Sequence, residues 1–411
     1  MKTEATSYWR AFALVFSGTA LAQLIPLLGS LVIARLFVPA EFGTFMAWLG
    51  IATLVGVFVT CRFEMALPLE NDGEPRSVAA MATVAITLIA ITLVVMVGLP
   101  IFLLIEEQLP ALPPALIALL VPAFISLAAS QIWQAWAAAE GLFRALPAMR
   151  IVQAASITGL QVSVGLIAPS ASGLAASHIA GVVVGVAIMM FWLPPRRLPG
   201  GITTLLMFWR RYRKFPYFAL PADTINTASV QLPLMIIAGR FGAEAAGYVA
   251  LAFRTLGAPI SLMGTAVLDV FKRRSSTAWR ARGECRSEYL QTLGVLAAGS
   301  VVATLAFFSV GEELFALAFG ERWRKAGQLA IILLPLFALR FVASPLSYLF
   351  YLAEKQHIDL MWQVCLLAMT LSTLFLPNEF RDALLSYALG YGLLYVAYLV
   401  LSFRFSRGNV K

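Results

Sequence analysis

Apolar residues along this chain show neither the spacing of an amphipathic surface helix nor the alternation of a half-buried strand; they run on in long uninterrupted stretches. Residues 11–34, 77–105, 108–139, 151–195, 289–310 and 383–403 contain no Lys, Arg, Asp or Glu. Each is long enough to cross about 30 Å of hydrocarbon at a rise of about 1.5 Å per residue. Divided at charged or Pro/Gly-rich breaks, the pattern predicts twelve helices, over 11–36, 43–69, 78–105, 111–139, 147–168, 172–193, 216–241, 245–270, 289–310, 327–353, 358–376 and 383–404. This is the pattern of an all-α integral membrane protein. The first span reads as a retained helix: its apolar run is longer than a signal-peptide core and no convincing small-residue cleavage site follows it.

Composition agrees. The 411 residues are 60% hydrophobic and 12% charged, about half the charged share of a soluble domain. The longest connection, 194–215, is too short for a soluble catalytic domain, so function must lie within the helices. No phosphate-binding loop, zinc-protease, nucleophile-elbow or dinucleotide motif occurs, so neither an enzyme nor a cofactor is expected. Cys61, Cys285 and Cys365 are scattered, and His178 and His357 are isolated, which suits neither a disulfide framework nor a metal site.

The net charge of +9 has a topological reading. With twelve helices, the termini and even-to-odd loops hold twenty-one of the 30 Lys and Arg residues; the opposite loops hold six (Arg35, Arg240, Arg322, Arg324, Lys325 and Arg381); Arg62, Arg254 and Arg340 fall within helices. The positive-inside rule then places both termini in the cytoplasm. Clusters such as RRYRK (210–214) make anionic membrane lipids, rather than nucleic acid, the expected partner.

The chain also repeats itself. IARLFVPAEFGTF (33–45) aligns with IAGRFGAEAAGYV (237–249) at an offset of 204, and AAEGLFRAL (138–146) resembles LAEKQHIDL (352–360) at 214. Two six-helix lobes, 1–200 and 201–411, of like orientation form a parallel repeat, an architecture that places a site between halves.

Four stretches carry a resemblance to a known family: ARLFVPAEFGTF; CRFEMALPLENDGEP (61–75); FPYFALPADTINTASVQLPLMIIAGRFGAEAAGYVALAFRTLGAPISLMGTAV (215–267); and FGERWRKAG (319–327). With these the chain resembles the polysaccharide flippases of the multidrug/oligosaccharidyl-lipid/polysaccharide exporter superfamily, in the O-antigen and exopolysaccharide (Wzx-type) branch. The second stretch departs from the family pattern, with Phe63 where tyrosine is common and Pro68 before Leu69 rather than after it. The resemblance implies a V-shaped bundle of two lobes around a polar cavity. It also implies transfer of undecaprenyl-pyrophosphate-linked oligosaccharide across the bacterial inner membrane, alongside other polysaccharide-assembly membrane proteins.

Ionisable residues at membrane depth are costly, by about 2.5–3.5 kcal/mol each on insertion scales, and usually face an interior cavity. A pyrophosphate calls for guanidinium forks, which makes Arg254 and Arg340 the first candidates and Arg62 and Arg35 the next. For Arg62 the alternative is pairing with Glu64 or reaching to the interface. Glu64 and Asp223 are candidates for a coupling proton or sodium ion, or else neutralise an arginine. Gln131, Trp133, Gln134 and Trp136 suit either sugar contact or packing, and GVVVG (181–185) suits close helix contact. The competing functions are a drug or cation antiporter of the same superfamily and a membrane-embedded polymerase or ligase, which generally needs a larger external loop. The arginine-rich intramembrane set favours an anionic lipid-linked substrate. Reporter fusions after Gly283 are expected to signal cytoplasm and fusions near Asn378 periplasm; a periplasmic signal from Gly283 would overturn the orientation.

Overall fold

The computed structural model describes residues 21–98, 100, 112–142, 144–195 and 201–408. The expected first turns of helix one, the end of helix three, and Arg196 and Arg197 lie outside the described residues. Every regular element described is helical. They are α1 (21–36), α2 (Pro39–Val59), α3 (Glu74–Leu93, continued by a π turn to Gly98), α4 (Pro114–Ala139), α5 (Ala145–Ile167), α6 (Ala171–Trp192), α7 (Gly201–Tyr212), α8 (Leu220–Phe241), α9 (Ala243–Arg282), α10 (Arg286–Phe319), α11 (Arg324–Leu346), α12 (Gln356–Phe375) and α13 (Phe380–Ser406). Hydrocarbon offers no water to backbone amides, so a spanning segment must satisfy them internally. Nine helices among the described residues are long and apolar enough to span. The helices α8 and α9 are diluted by polar side chains, Asp223, Asn226 and Gln231 in one, Arg254 and Asp269 in the other.

The structure corrects several expected boundaries. A single helix over 43–69 is expected, yet α2 stops at Val59 and a 3-10 turn follows over Phe63–Leu69. Between them Cys61 and Arg62 adopt left-handed backbone conformations, φ 49° and 60°, which a right-handed helix of L-residues cannot accommodate. The helices α9 and α10 run 40 and 34 residues, well past the expected 245–270 and 289–310. Their charged ends, from Lys272 to Arg282 and from Arg286 onward, stay helical because Arg274 donates to Gln291 and Arg282 to Glu288 across the hairpin, at 2.8 and 2.7 Å. The connection over 194–215 contains the short helix α7.

The chain packs as two compact units, Met1–Ala246 and Gly247–Lys411; this packing boundary is distinct from the 200/201 boundary of the repeat expectation. In the first unit, α5 and α6 meet where GVVVG places its glycines. A Cβ on Gly181 would lie 2.5 Å from the Ile157 backbone nitrogen, and one on Gly185 2.8 Å from Gln153 Cβ. The helix α8 packs on α2, with Gly50 against Met235. The core gathers Phe63, Leu67, Ile132, Trp133, Trp136, Met149 and Phe208. In the second unit Phe271, Tyr289, Leu346 and Leu349 form a core, and the Tyr289 hydroxyl donates to the Leu399 carbonyl at 3.0 Å.

At two places the backbone bonding of the aligned segments matches, in one of them with a shifted register. The helices α2 and α9 start at Pro39 and Ala243, and the first amide bonds Phe42 to Val38 and Ala246 to Gly242 follow the same offset of 204. At the ends of α4 and the helix over Tyr348–Leu352, the amides of Leu142 and Lys355 bond the carbonyls of Ala137 and Phe350, at 2.9 and 2.8 Å. Those of Gly141 and Glu354 bond Ala138 and Tyr351, both at 3.2 Å. The structural offset is therefore 213, one less than the residue identities suggest. It pairs Gly141 (φ 71°) with Glu354 (φ 57°), each closing its helix in the left-handed conformation that glycine adopts without strain. Replacing Glu354 by Gly is expected to raise the melting temperature in detergent, relieving about 1 kcal/mol, while Gly141→Ala lowers stability by about 1–2 kcal/mol. Effects of the opposite sign would refute the equivalence of the two turns.

Candidate functional site

The break after α2 builds a charged cluster. The left-handed backbone at Arg62 turns its side chain toward α8, where Nε lies 2.7 Å from Asp223 Oδ2, while Nη1 donates to Glu64 Oε1 at 2.9 Å. The Arg62 side chain is 21% exposed, Glu64 6% and Asp223 35%. The second carboxylate oxygen of Glu64 is buried without a hydrogen-bond partner. One guanidinium thus faces two carboxylates, leaving one negative charge when all three groups are ionised. Burial pushes the Glu64 carboxyl above the ordinary carboxylate range, Arg62 pulls it back, and Asp223 adds to the rise. Two adjacent non-glycine residues in left-handed conformations beside a buried charge are the kind of strain found at functional sites.

A second charged group in the same unit is structural. Arg76, at the start of α3, is buried and donates to the carbonyls of Leu67 and Glu70 at 3.1 and 2.9 Å, with Asp72 and Glu140 at 2.6 and 3.5 Å. Glu70 accepts from the Tyr212 hydroxyl at 2.7 Å and pairs with Arg211 at 3.2 Å. These bonds, with Phe63 against Phe208 and Trp209 at 5.4 and 5.2 Å, dock α7 on the turn after α2. Burial and the Glu70 carboxylate push the Tyr212 hydroxyl up to about 12.

The second unit holds the other arginines. Arg254 on α9 and Arg340 on α11 are both partly buried. Among the described residues no carboxylate lies within ion-pair distance of Arg340. Instead it lies among tyrosines of α13, close enough to Tyr387, Tyr391 and Tyr395 to interact electrostatically with each. These tyrosines, 3%, 5% and 8% exposed, recur every four residues and therefore share one helix face. Consecutive rings are 5.2 and 5.4 Å apart. Phe253 stacks on Tyr387 at 6.3 Å and Trp362 meets Tyr395 at 5.3 Å. A buried tyrosine usually finds a partner for its hydroxyl, as Tyr398 does in Asp359 at 2.8 Å. None of these three hydroxyls has one among the described residues. Next to this row, α9, α10 and α11 enclose a cleft of about 440 Å³ lined by Thr255, Pro259, Ser300, Phe307, Phe337 and Phe341 among others.

The remaining sequence candidates are placed as follows. Arg35 is exposed in the last turn of α1, and Arg240 lies in the last turn of α8, one residue past the position that matches Arg35, its guanidinium 5.1 Å from the Phe241 ring centre. Trp133 and Trp136 are core residues, their indole N–H groups donating to the Leu193 carbonyl and to Glu140 at 3.0 and 3.3 Å. Gln134 bonds Ser130 and Arg150. Packing therefore accounts for these three. Gln131 keeps a buried amide oxygen without a partner. His178 packs against Phe45 at 6.1 Å and His357 is exposed. Among the described residues there is no cluster of metal-ligating side chains.

The arrangement of helices is that of the transporters of the MOP superfamily. The lipid II flippase MurJ in an inward closed conformation matches with a TM-score of 0.76 at 12% identity, over 95% of this chain and 87% of that one. An inward-facing multidrug resistance MATE family transporter gives 0.65 at 12%, over 94% of each chain. A MOP superfamily transporter from Pyrococcus furiosus gives 0.58 at 14%, over 96% and 94%. No curated protein matches in sequence. The chain belongs to the polysaccharide biosynthesis protein family, whose model matches residues 32–328 and so takes in all four stretches that carry the resemblance.

The Arg62 cluster makes a pH-dependent prediction. A carboxyl whose folded value is raised contributes stability that is fully present below its unfolded value and lost as pH rises through the folded one. Removing Arg62 raises Glu64 further, so Arg62→Ala is expected to cost about 3 kcal/mol at alkaline pH, near the low end for breaking a buried pair because Arg62 is 21% exposed. The loss shrinks on acidification, and Glu64→Gln in the same chain recovers most of it. Melting temperatures in detergent between about pH 5 and pH 8 check this; a pH-independent deficit would refute the pairing.

Proposed function

We propose that the protein is a flippase that carries undecaprenyl-pyrophosphate-linked oligosaccharide across the bacterial inner membrane for O-antigen, capsule or exopolysaccharide synthesis. The observation that carries this reading is membership of the polysaccharide biosynthesis family on a fold shared with a lipid II flippase. Arg340 adds support: it is a permanent cation within an apolar span, with no carboxylate in ion-pair range among the described residues. Guanidinium forks match the oxygens of a pyrophosphate, so Arg340 and Arg254 are assigned to that group, with Arg35 and Arg62 as further contacts. In Arg62 the fork is already met by Glu64 and Asp223, so substrate contact there requires one carboxylate to release it. That exchange makes Glu64 and Asp223 the coupling site: uptake of a proton or sodium ion frees the guanidinium. The repeat halves, 1–200 and 201–411, supply the alternating access, both termini lie in the cytoplasm, and no bond is made or broken in the substrate.

A second reading, export of small-molecule drugs, draws on the fold shared with a multidrug resistance transporter. A deletion strain separates the two. On the flippase reading, lipid-linked repeat units accumulate in the cytoplasmic leaflet and surface glycan is lost, while drug susceptibility is unchanged; the reverse pattern refutes it. At matched expression, Arg340→Ala and Arg254→Ala are expected to lower glycan export at least about tenfold, the size of one charged hydrogen bond. Lysine at either place should restore export only in part.

A further inference from the structure

The row Tyr387, Tyr391 and Tyr395 offers chemistry that the arginines alone do not. Its rings are buried against one another, Phe253 and Trp362, which leaves little exposed face for a sugar ring to stack on. What remains is three hydroxyls without partners and the guanidinium of Arg340 on the facing helix. A phenolic O–H donates, a guanidinium only donates, and donors gathered around a cation select an acceptor with negative charge. The ring centres are 5.2 and 5.4 Å apart along one helix face, so the row brings consecutive phenols together on the scale of one diphosphate. The cleft of about 440 Å³ beside them is lined almost wholly by carbon, with Phe337 shared between its wall and the Phe253 contact at 5.4 Å. Donors on one side of α11 and an apolar cleft on another suit a ligand that is an oxyanion at one end and hydrocarbon at the other.

We infer that Tyr387, Tyr391 and Tyr395, together with Arg340, form an oxyanion subsite for the diphosphate of a prenyl-diphosphate lipid whose first hydrocarbon units enter the adjoining cleft. The assignment deepens the flippase reading and rests on it for the identity of the lipid, but the binding itself is measurable without transport. An anionic phospholipid headgroup carries related chemistry, so the test separates the two sources.

The full-length protein in detergent is titrated with farnesyl diphosphate, with inorganic pyrophosphate and with phosphatidylglycerol vesicles. Binding is read from the rise in melting temperature and from the fitted dissociation constant. Farnesyl diphosphate is expected to bind best, and inorganic pyrophosphate more weakly because it leaves the cleft empty. The triple variant Tyr387→Phe, Tyr391→Phe, Tyr395→Phe keeps the rings and so the packing; it should weaken farnesyl diphosphate at least tenfold with an unchanged unliganded melting temperature. If the triple variant melts early, Tyr391→Phe alone carries the comparison, with a loss of at least threefold expected. Arg340→Gln should weaken binding as the triple variant does. Phosphatidylglycerol binding as tightly as farnesyl diphosphate, and lost in the same variants, overturns the prenyl-diphosphate assignment in favour of a bilayer headgroup. Undiminished affinity in the phenylalanine variants, or no stabilisation of the unsubstituted protein by farnesyl diphosphate, overturns the subsite. Normal export of glycan in a strain lacking the protein overturns the flippase reading alone, since binding is scored on purified material.

Discussion

The demand that every backbone amide be bonded without help from water governs this molecule more than any single contact. It makes the helix the default state of the chain within the membrane and gives each interruption of a helix a local explanation. The chain leaves the helix after Val59 and stays compact because the 3-10 turn over Phe63–Leu69 continues the backbone bonding and Arg76 takes up the carbonyls of Leu67 and Glu70. At the ends of α4 and of the helix over Tyr348–Leu352, a left-handed residue folds the last amides back onto open carbonyls. Side-chain charge enters the structure where the backbone has already turned aside: Arg62 occupies one such break, and Glu140 adjoins another.

Charge in such an interior is sustained in two ways, and the protein uses both. In the first unit a guanidinium is bracketed by carboxylates, as in the group of Arg62, Glu64 and Asp223, where attraction offsets desolvation. In the second unit Arg340 lies within electrostatic range of three tyrosines of α13 and has no carboxylate partner among the described residues. The first arrangement sets a guanidinium against carboxylates; the second leaves three phenolic hydroxyls without hydrogen-bond partners among the described residues.

Much of the fold is legible in the sequence because charge-free runs of this length have one physical outcome. What escapes is instructive. The break at Cys61 and Arg62 bears no glycine or proline, so no residue type marks it in the sequence; in the structure it coincides with the pairing of Arg62 with Glu64 nearby and Asp223 on α8. The Glu140 and Glu354 identity misplaces the second repeat by one residue, since backbone geometry, not side-chain identity, is what that turn preserves. Glu64 is foreseeable as a partner of Arg62, two residues away, whereas Asp223 is not, because only the packing of α8 on α2 brings it near. The tyrosines of α13 are visible as a four-residue period, but nothing in the sequence says that Arg340 faces them.

The two repeat registers also say where the halves have parted company. The offset grows from 204 at the starts of α2 and α9 to 213 at the later turn, so the second copy carries nine more residues between those points. In the first copy that interval holds the tight break between Val59 and Glu74; in the second it holds the uninterrupted ends of α9 and α10, joined by residues 283–285. Shared between two antiparallel helices, nine residues lengthen each by roughly 7 Å. A recombination event that swapped this segment between the halves would delete one structure or duplicate the other, leaving α7 without its dock or the basic hairpin without its reach. The two segments share the turns at either end, but their parts in between are not interchangeable.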